Sequence, residues 1–231
     1  MRFIIDGRVG LLHEAAMPGL RLTSRTSRGS DGMPRVRAND YDTKSRAILD
    51  SAAALFAKVG FPNTKMQDVA QACGATKSML YHYFPTKDDL LFAMLEEHLE
   101  KLIAAMEESI EASATAVDRF DAFVQIYVQK SNQSRRRHVT AMNDVKFLPK
   151  ALQSPLLKLE TRVTDLCSDL LRALHPGLDE KVYKPYGMLL LGMLNWTDFW
   201  YRPSGEIKPD ELCERITRLF LHGFLAEKKT A

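Results

Sequence analysis

Apolar residues recur at helical spacing along most of this chain. Between residues 43 and 59 they lie three or four positions apart, which places them on one face of a helix. The segment 86–113 repeats the pattern over many turns, and beyond residue 91 no segment alternates convincingly between apolar and polar positions. Further helices are predicted over residues 64–73, 76–84, 117–130, 139–147, 156–174, 183–200 and 209–225. The pattern therefore predicts an all-α protein.

A tight turn separates the two short helices predicted over residues 64–73 and 76–84. Gly74 supplies the positive φ that such a turn requires, and Thr76 can N-cap the second helix. Pro85 ends that helix. Residues 64–67 fit a capping box, with Gln67 reaching back to the cap. Two short helices joined by a glycine turn make a helix-turn-helix motif.

The second short helix has one apolar and one polar face. Leu80 and Phe84 are four residues apart and can dock the helix on a core. Its first turn lies at the positive end of the helix dipole, which favours an anion such as a DNA phosphate. The residues predicted to face outward are Lys77, Ser78, Tyr81 and His82.

Residues 43–91 resemble the DNA-binding domain of the TetR family of bacterial transcriptional regulators. The segment from Thr76 to Phe84, followed by Lys87, matches the family's recognition helix. Ser78 stands where glycine is common in the family and Met79 where a small polar residue is common. The DNA sequence that this helix recognises therefore need not be that of its relatives. The resemblance implies Thr76 as a further DNA-binding residue, phosphate contacts from Thr64, Lys65, Tyr83 and Lys87, and groove contacts from Lys77, Ser78, Tyr81 and His82.

A structural interpretation of the same helix stands beside this one. Helix-turn-helix patterns also occur in all-α proteins that bind no nucleic acid. In that case Tyr81 and Tyr83 anchor a helical bundle and His82 is simply solvated.

The net positive charge comes from the N-terminal 40 residues. Of the 231 residues, residues 1–40 hold seven arginines and four acidic residues, which accounts for the whole net charge of +3. We predict a flexible arm over residues 1–40, a DNA-binding domain over 41–88 and a ligand-binding and dimerisation domain over 89–231. Two interpretations of the arm compete: Arg35 and Arg37 reach a DNA groove, or the natural protein starts at Met33.

Three scattered cysteines, Cys73, Cys167 and Cys213, predict neither a disulfide framework nor a metal site and favour a reducing cytoplasm. A redox switch at Cys73 is the alternative to simple packing. The longest apolar run, residues 188–194, is far shorter than the roughly 18 residues of a membrane span. We therefore expect a cytoplasmic protein without membrane contact.

The last two predicted helices are more apolar than one bundle core needs, which predicts that one face buries against a second copy. The family resemblance implies the same homodimer, built as a four-helix bundle. A purely internal core is the alternative.

A small-molecule effector is expected in the second domain, in a cavity lined by flexible, aromatic and a few polar side chains. Residues 187–203 resemble TetR-family members that release DNA on binding an acyl-CoA thioester, such as phenylacetyl-CoA or a fatty acyl-CoA. The guanidinium groups of Arg135, Arg136 and Arg137 could bind the CoA phosphates bidentately. The alternative is a solvated loop between helices, which is the commoner role of a charge run. The candidate ligand-binding residues are Phe123, Tyr127, Arg135, Arg136, Arg137, Met142, Asn143, Phe147, Met193, Trp196 and Trp200.

No residue pattern supports an enzyme, a cofactor or a catalytic metal, because the histidines lack paired nucleophiles or carboxylates at recognisable spacing. The sequence thus predicts a repressor that binds a palindromic DNA operator as a dimer and is released by an effector. Two alternatives stay open: a regulator of the same type that responds to another hydrophobic ligand, such as a xenobiotic, and a DNA-binding protein controlled by a protein partner.

Overall fold

The computed structural model describes residues 34–228. Within this range the chain forms nine α-helices and one 3-10 turn, and it contains no β-strand. The predicted all-α class is confirmed. The helices are α1 (Pro34–Val59), α2 (Met66–Ala72), α3 (Lys77–Tyr83), α4 (Lys87–Glu111), α5 (Ala116–Gln133), α6 (Arg135–Asp144), α7 (Lys150–Leu174), α8 (Glu180–Trp200) and α9 (Pro209–Phe224), and the 3-10 turn is Val145–Phe147.

Two apolar cores lie along the molecule. The first joins α1, α2, α3 and the first half of α4, and it also takes in Ala141, Leu148 and Leu156 from the α6–α7 region. The second joins the rest of α4 to α5, α7, α8 and α9. The helix-turn-helix unit is therefore packed directly on the domain that follows it.

Helix α4 belongs to both cores. Leu91 and Met94 are buried in the first core, whereas Leu102 and Met106 are buried in the second. Thr86 caps this helix by accepting a hydrogen bond from the Asp89 amide at 3.0 Å, while the Asp89 carboxylate accepts one from the Thr86 amide. The predicted helix with one face buried along its length is thus confirmed.

Several predicted helix boundaries were wrong. Helix α1 begins at Pro34, so residues 34–40 of the predicted arm are helical, and proline suits this place because the first helical amide needs no partner. The rest of the arm lies outside the described residues. The helix predicted over residues 156–174 begins earlier, at Lys150, so Pro155 lies within the first turns of α7. The helix predicted over residues 139–147 begins at Arg135, directly after Ser134, so the three arginines form the first turn of α6.

The capping box of α2 is displaced by one residue from its predicted position. Lys65 is the N-cap, and its amide donates to the Asp68 carboxylate at 3.0 Å. Thr64 instead donates its hydroxyl to the Gly60 carbonyl at 3.0 Å. The predicted positive φ of Gly74 is confirmed at 67°.

No helix in residues 34–228 combines the length and the apolar character that crossing a membrane would require.

Candidate functional site

Helix α3 presents an exposed polar face. Leu80 is fully buried and Phe84 is buried beside it, which fixes the orientation of the helix on the first core. Thr76 caps the helix by accepting a hydrogen bond from the Met79 amide at 3.1 Å, as predicted. The predicted DNA-binding residues on the exposed side are Lys65, Thr76, Lys77, Ser78, Tyr81 and His82. This surface offers cations, hydroxyls and aromatic rings within a short span.

Two predicted phosphate contacts point into the protein instead. Thr64 is only 1% exposed and its hydroxyl is bound to Gly60, so its side chain is not available to DNA. The Lys87 ammonium donates to the carbonyls of Phe61 at 2.9 Å, Thr64 at 3.1 Å and Pro62 at 3.4 Å. An ammonium has three N–H groups, and all three have acceptors here. Lys87 thus fastens the α1–α2 loop to α4.

Tyr83 lies half-buried between α1 and α3. Its ring stacks on that of Tyr41, with 4.5 Å between the centroids, and meets the His82 ring edge-on. The ring therefore helps to hold the recognition surface against α1.

A chain of polar side chains lies inside the second domain, where α4, α5, α6 and α8 meet. His98 Nε2 is 3.0 Å from His138 Nδ1, and His138 Nε2 is 3.1 Å from Asn195 Oδ1. The Tyr127 hydroxyl donates to the same Asn195 oxygen. Two neutral imidazole rings can form both histidine hydrogen bonds if His98 donates from Nε2 to His138 and His138 donates from its own Nε2 to Asn195. Asp198 Oδ2 lies 3.4 Å from His138 Nε2.

Burial controls the electrostatics of this cluster. It lowers the pKa of His98 to about 3, with the neighbouring His138 acting in the same direction. Burial also lowers the pKa of His138, against the opposing charge of Asp198. It raises the pKa of Tyr127 and of Asp198, because each would carry an anion in an apolar interior. Both histidines are therefore neutral at pH 7.

Two buried polar groups of this region lack hydrogen-bond partners within the described residues. The Asp198 carboxyl is 2% exposed, and neither of its oxygens accepts a hydrogen bond from any residue that the structure describes. The Ser131 hydroxyl, one turn beyond Tyr127 on α5, is equally buried and unpaired within residues 34–228. Unsatisfied buried polar groups are rare in proteins because each costs about 1–3 kcal/mol. They mark this interior as a place where a ligand with hydrogen-bonding groups can be held.

The structure places few of the predicted ligand residues near this cluster. Phe123 and Tyr127 are buried in the second core, and Met193 packs against it. Met142 is half-buried on α6. Asn143 is exposed and donates to the Val139 carbonyl.

Three of the predicted aromatic ligand residues lie at the surface of the single chain. Phe147 is 44% exposed and stacks on Phe61 of the first core. Trp196 and Trp200 are 55% and 49% exposed, because they lie on the face of α8 opposite to the one that carries Asn195 and Asp198.

Sequence reasoning missed His98, Ser131, Asn195 and Asp198. The sequence pattern that could have revealed them is a polar residue within the apolar face of a helix. Asn195 and Asp198 are three residues apart and so share a face of α8, while His98 interrupts the apolar face of α4.

The three arginines of α6 do not form one surface. Successive helical residues point about 100° apart. Arg136 is exposed, and Arg135 is close enough to Asp198 to oppose the rise in the pKa of that carboxyl. Arg137 donates to Asp50 of α1 at 2.7 Å and to Glu97 of α4. The Arg137 guanidinium is thus paired with two carboxylates of the chain, and phosphate binding by the three arginines together stays a prediction.

The outer face of α8 is apolar. Leu189 is 62% exposed and follows the same stripe as Trp196 and Trp200. Gly192 lies on this stripe with open space around it, which permits another backbone to approach. On α9, Leu219 is 70% exposed. Large apolar side chains exposed together mark an interaction surface.

Comparison with known proteins identifies both halves of the chain. Residues 48–94 match the family model of bacterial regulatory proteins of the tetR family. Residues 113–224 match the model described as a tetracyclin repressor-like C-terminal domain.

Individual relatives extend this similarity over most of the chain. The HTH-type transcriptional repressor KstR2 of Mycobacterium tuberculosis is 22% identical over 201 residues, which cover 84% of this chain and 99% of the relative. A TetR-family transcriptional regulator from Bordetella parapertussis is 33% identical in structural alignment, with a TM-score of 0.74 over 83% of this chain and 99% of its own. AibR in complex with isovaleryl coenzyme A and operator DNA aligns at 21% identity and a TM-score of 0.67, over 76% of this chain and 97% of its own.

Stability should fall in acid because the buried histidines must become protonated on unfolding. A pKa lowered in the folded state means that the unfolded chain binds more protons below about pH 6.5, so stability is lost as the pH falls from there towards 3. Between pH 6.5 and 5 the loss from His98 alone should be about 2 kcal/mol. Urea unfolding at the two pH values measures it.

The replacement His98→Gln should reduce this acid sensitivity, since glutamine can still donate to His138. The exposed His82 provides the matched control as His82→Gln. Equal acid sensitivity in all three proteins would contradict the assignment.

Proposed function

The chain belongs to the TetR family of bacterial regulatory proteins, and on that premise we propose that it is a transcriptional repressor released from its operator by a small-molecule effector. One observation carries the proposal: α4 is shared by the core beneath the exposed recognition surface and by the core that holds the unsatisfied buried polar groups. A ligand that reorders the second core therefore acts on the helix that supports the first.

The recognition surface suits duplex DNA. Lys77 and Ser78 lie in the first turn of α3, at the helix end that favours phosphate. Lys65, the N-cap of α2, is also exposed. Tyr81 and His82 follow on α3 and supply groups that can meet base edges in the major groove. We infer phosphate contacts from Lys65, Thr76 and Lys77 and base contacts from Ser78, Tyr81 and His82.

A homodimer is proposed through the outer faces of α8 and α9. Leu189, Trp196, Trp200 and Leu219 would lose their solvent exposure there, and Gly192 would allow close contact of the two α8 helices. A two-fold dimer presents two equal recognition helices, so we propose a palindromic operator.

The proposed effector is an acyl-CoA thioester. AibR was solved with isovaleryl coenzyme A and operator DNA, and that similarity of fold supports this class of ligand. The acyl group would pack against Phe123 and Tyr127, and the amide N–H groups of the pantetheine arm would meet the unsatisfied Asp198 and Ser131.

Replacing Lys77 by Ala should weaken binding to operator and to random DNA alike and lower the salt slope by about 1, because a phosphate contact carries no base information. Ser78→Ala and His82→Ala should mainly reduce the preference for operator. Fluorescence anisotropy with both DNAs at several salt concentrations measures the difference. Identical effects of the three changes on both DNAs would argue against this division of roles.

Acyl-CoA thioesters should release the operator complex, whereas the corresponding free acids should not. A tenfold loss of DNA affinity corresponds to about 1.4 kcal/mol of coupling. Electrophoretic mobility shift with phenylacetyl-CoA, a fatty acyl-CoA and their acids tests the ligand class. Release by the acids at equal concentration would exclude CoA recognition, and release by neither would favour control by another ligand or by a protein.

The variant Asp198→Asn should weaken effector binding about fivefold, because the carboxamide offers one acceptor oxygen where the carboxyl group offers two. Operator binding without effector should persist. Asp165→Asn, an exposed acid on α7, is the matched control. Unchanged effector affinity in Asp198→Asn would remove this residue from the site.

Changing Trp196 to Asp should convert the dimer to a monomer, since a carboxylate would be desolvated in the proposed interface. Val117, an exposed apolar residue on α5, provides the control as Val117→Asp. Sedimentation velocity distinguishes the two outcomes. A dimeric Trp196→Asp protein would show that this face is not the interface.

A further inference from the structure

A polar cavity of about 310 Å³ lies where α1, α4, α5 and α6 meet, between the two cores. Its wall carries four side chains of positive charge and two of negative charge. The cations are Arg46, Lys101, Lys130 and Arg137, and the carboxylates are Asp50 and Glu97. The remaining titratable group on the wall is His98, which is neutral because burial lowers its pKa to about 3.

The positive charges are only partly neutralised. Lys101 pairs with Glu97, and Arg137 pairs with both Glu97 and Asp50. Among the residues that the structure describes, none forms an ion pair with the charged group of Arg46 or of Lys130. The wall therefore carries an excess of two positive charges in a concave space, which raises the local concentration of anions.

We propose that this cavity binds the phosphate groups of a phosphorylated small molecule. Its volume lies at the lower end of the range for small-molecule sites and exceeds what one inorganic phosphate fills. The two guanidinium and two ammonium groups come from four different helices and match a ligand that carries several phosphate oxygens. The assignment deepens the proposed function, on which its regulatory part rests. It places the nucleotide phosphates of CoA in this cavity, whose wall includes Arg137 but neither Arg135 nor Arg136.

The cavity adjoins the buried polar chain through His98. This side chain lies on the cavity wall and is also bonded to His138, which lies beside Asp198. A ligand with phosphates in the cavity and an acyl group in the second core would thus extend along this chain of side chains.

Arg137 links the cavity to the DNA-binding unit. Its guanidinium joins Asp50 on α1 to Glu97 on α4, and Asp50 is largely exposed, at 71% of its side-chain area. The Arg137 side chain is only 12% exposed, whereas its Asp50 partner stays largely hydrated, so a phosphate that enters the cavity can replace this carboxylate on the guanidinium. The displacement would remove one contact that fixes α1, the first helix of the DNA-binding unit, against α4 and α6.

Binding is tested with adenosine 3′-phosphate 5′-diphosphate, ATP and pyrophosphate, with unphosphorylated adenosine as the neutral probe. Isothermal titration calorimetry on the full chain should detect binding of the phosphorylated probes and none of adenosine. Tighter binding of the 3′-phosphorylated nucleotide than of ATP would identify the CoA nucleotide as the source of the phosphates, and the reverse order would indicate a free nucleotide. The absence of binding by every phosphorylated probe would overturn the proposal.

Two variants, Arg46→Gln and Lys130→Gln, test the assignment of residues. Each should lower the affinity for the nucleotide about fivefold. Lys184→Gln, an exposed lysine on α8 outside the cavity, is the matched control. Asp50→Asn should bind the nucleotide more tightly, because it removes the carboxylate that competes for Arg137. Equal weakening in Lys184→Gln, or no gain in Asp50→Asn, would contradict the site.

Operator release separates this inference from the proposed function. If acyl-CoA releases the operator from Lys130→Gln and from the unaltered protein at the same concentration, the cavity is not the phosphate site although the proposed function stands. If the nucleotide binds as described but no acyl-CoA releases DNA, the anion site stands and its regulatory part fails.

Discussion

The shared packing of α4 is the constraint on which the other contacts depend. Its first half fills the core beneath the helix-turn-helix unit and its second half fills the core of the following domain. An α-helix of this length is stiff, so a displacement of one end also moves the other end. The Thr86–Asp89 capping box fixes where the helix begins. Lys87 then fastens the α1–α2 loop to it through three carbonyls, so that loop and helix start move together.

The buried polar chain gives the second domain a different character from the first. His98, His138, Asn195 and Tyr127 hold one another in a single order of donors and acceptors, whereas Asp198 at its end has no donor within the described residues. A fully apolar core of this volume would be more stable, since partly satisfied polar networks are costly. The unpaired Asp198 carboxyl therefore lowers the stability of the second core.

Local features of the chain were predictable from sequence, and contacts between distant residues were not. Thr76, Gly74 and Thr86 act within one or two helical turns, so their roles follow from spacing alone. Arg137 and Asp50 are 87 residues apart, and nothing in a charge run reveals such a partner. Trp196 and Trp200 were predicted as ligand residues. An apolar stripe has the same sequence pattern whether it packs on the chain's own core or on another surface.

The core beneath the recognition helix has a consequence for how such regulators can be recombined. Ala141, Leu148 and Leu156 belong to that core although they lie far beyond residue 88 in sequence. A hybrid made by joining residues 41–88 to a foreign sensor would lose these side chains and leave a void under α1 and α4. A transferable DNA-reading module must therefore include the facing surface of α6 and α7, and a new sensor has to reproduce it before it can report any new ligand.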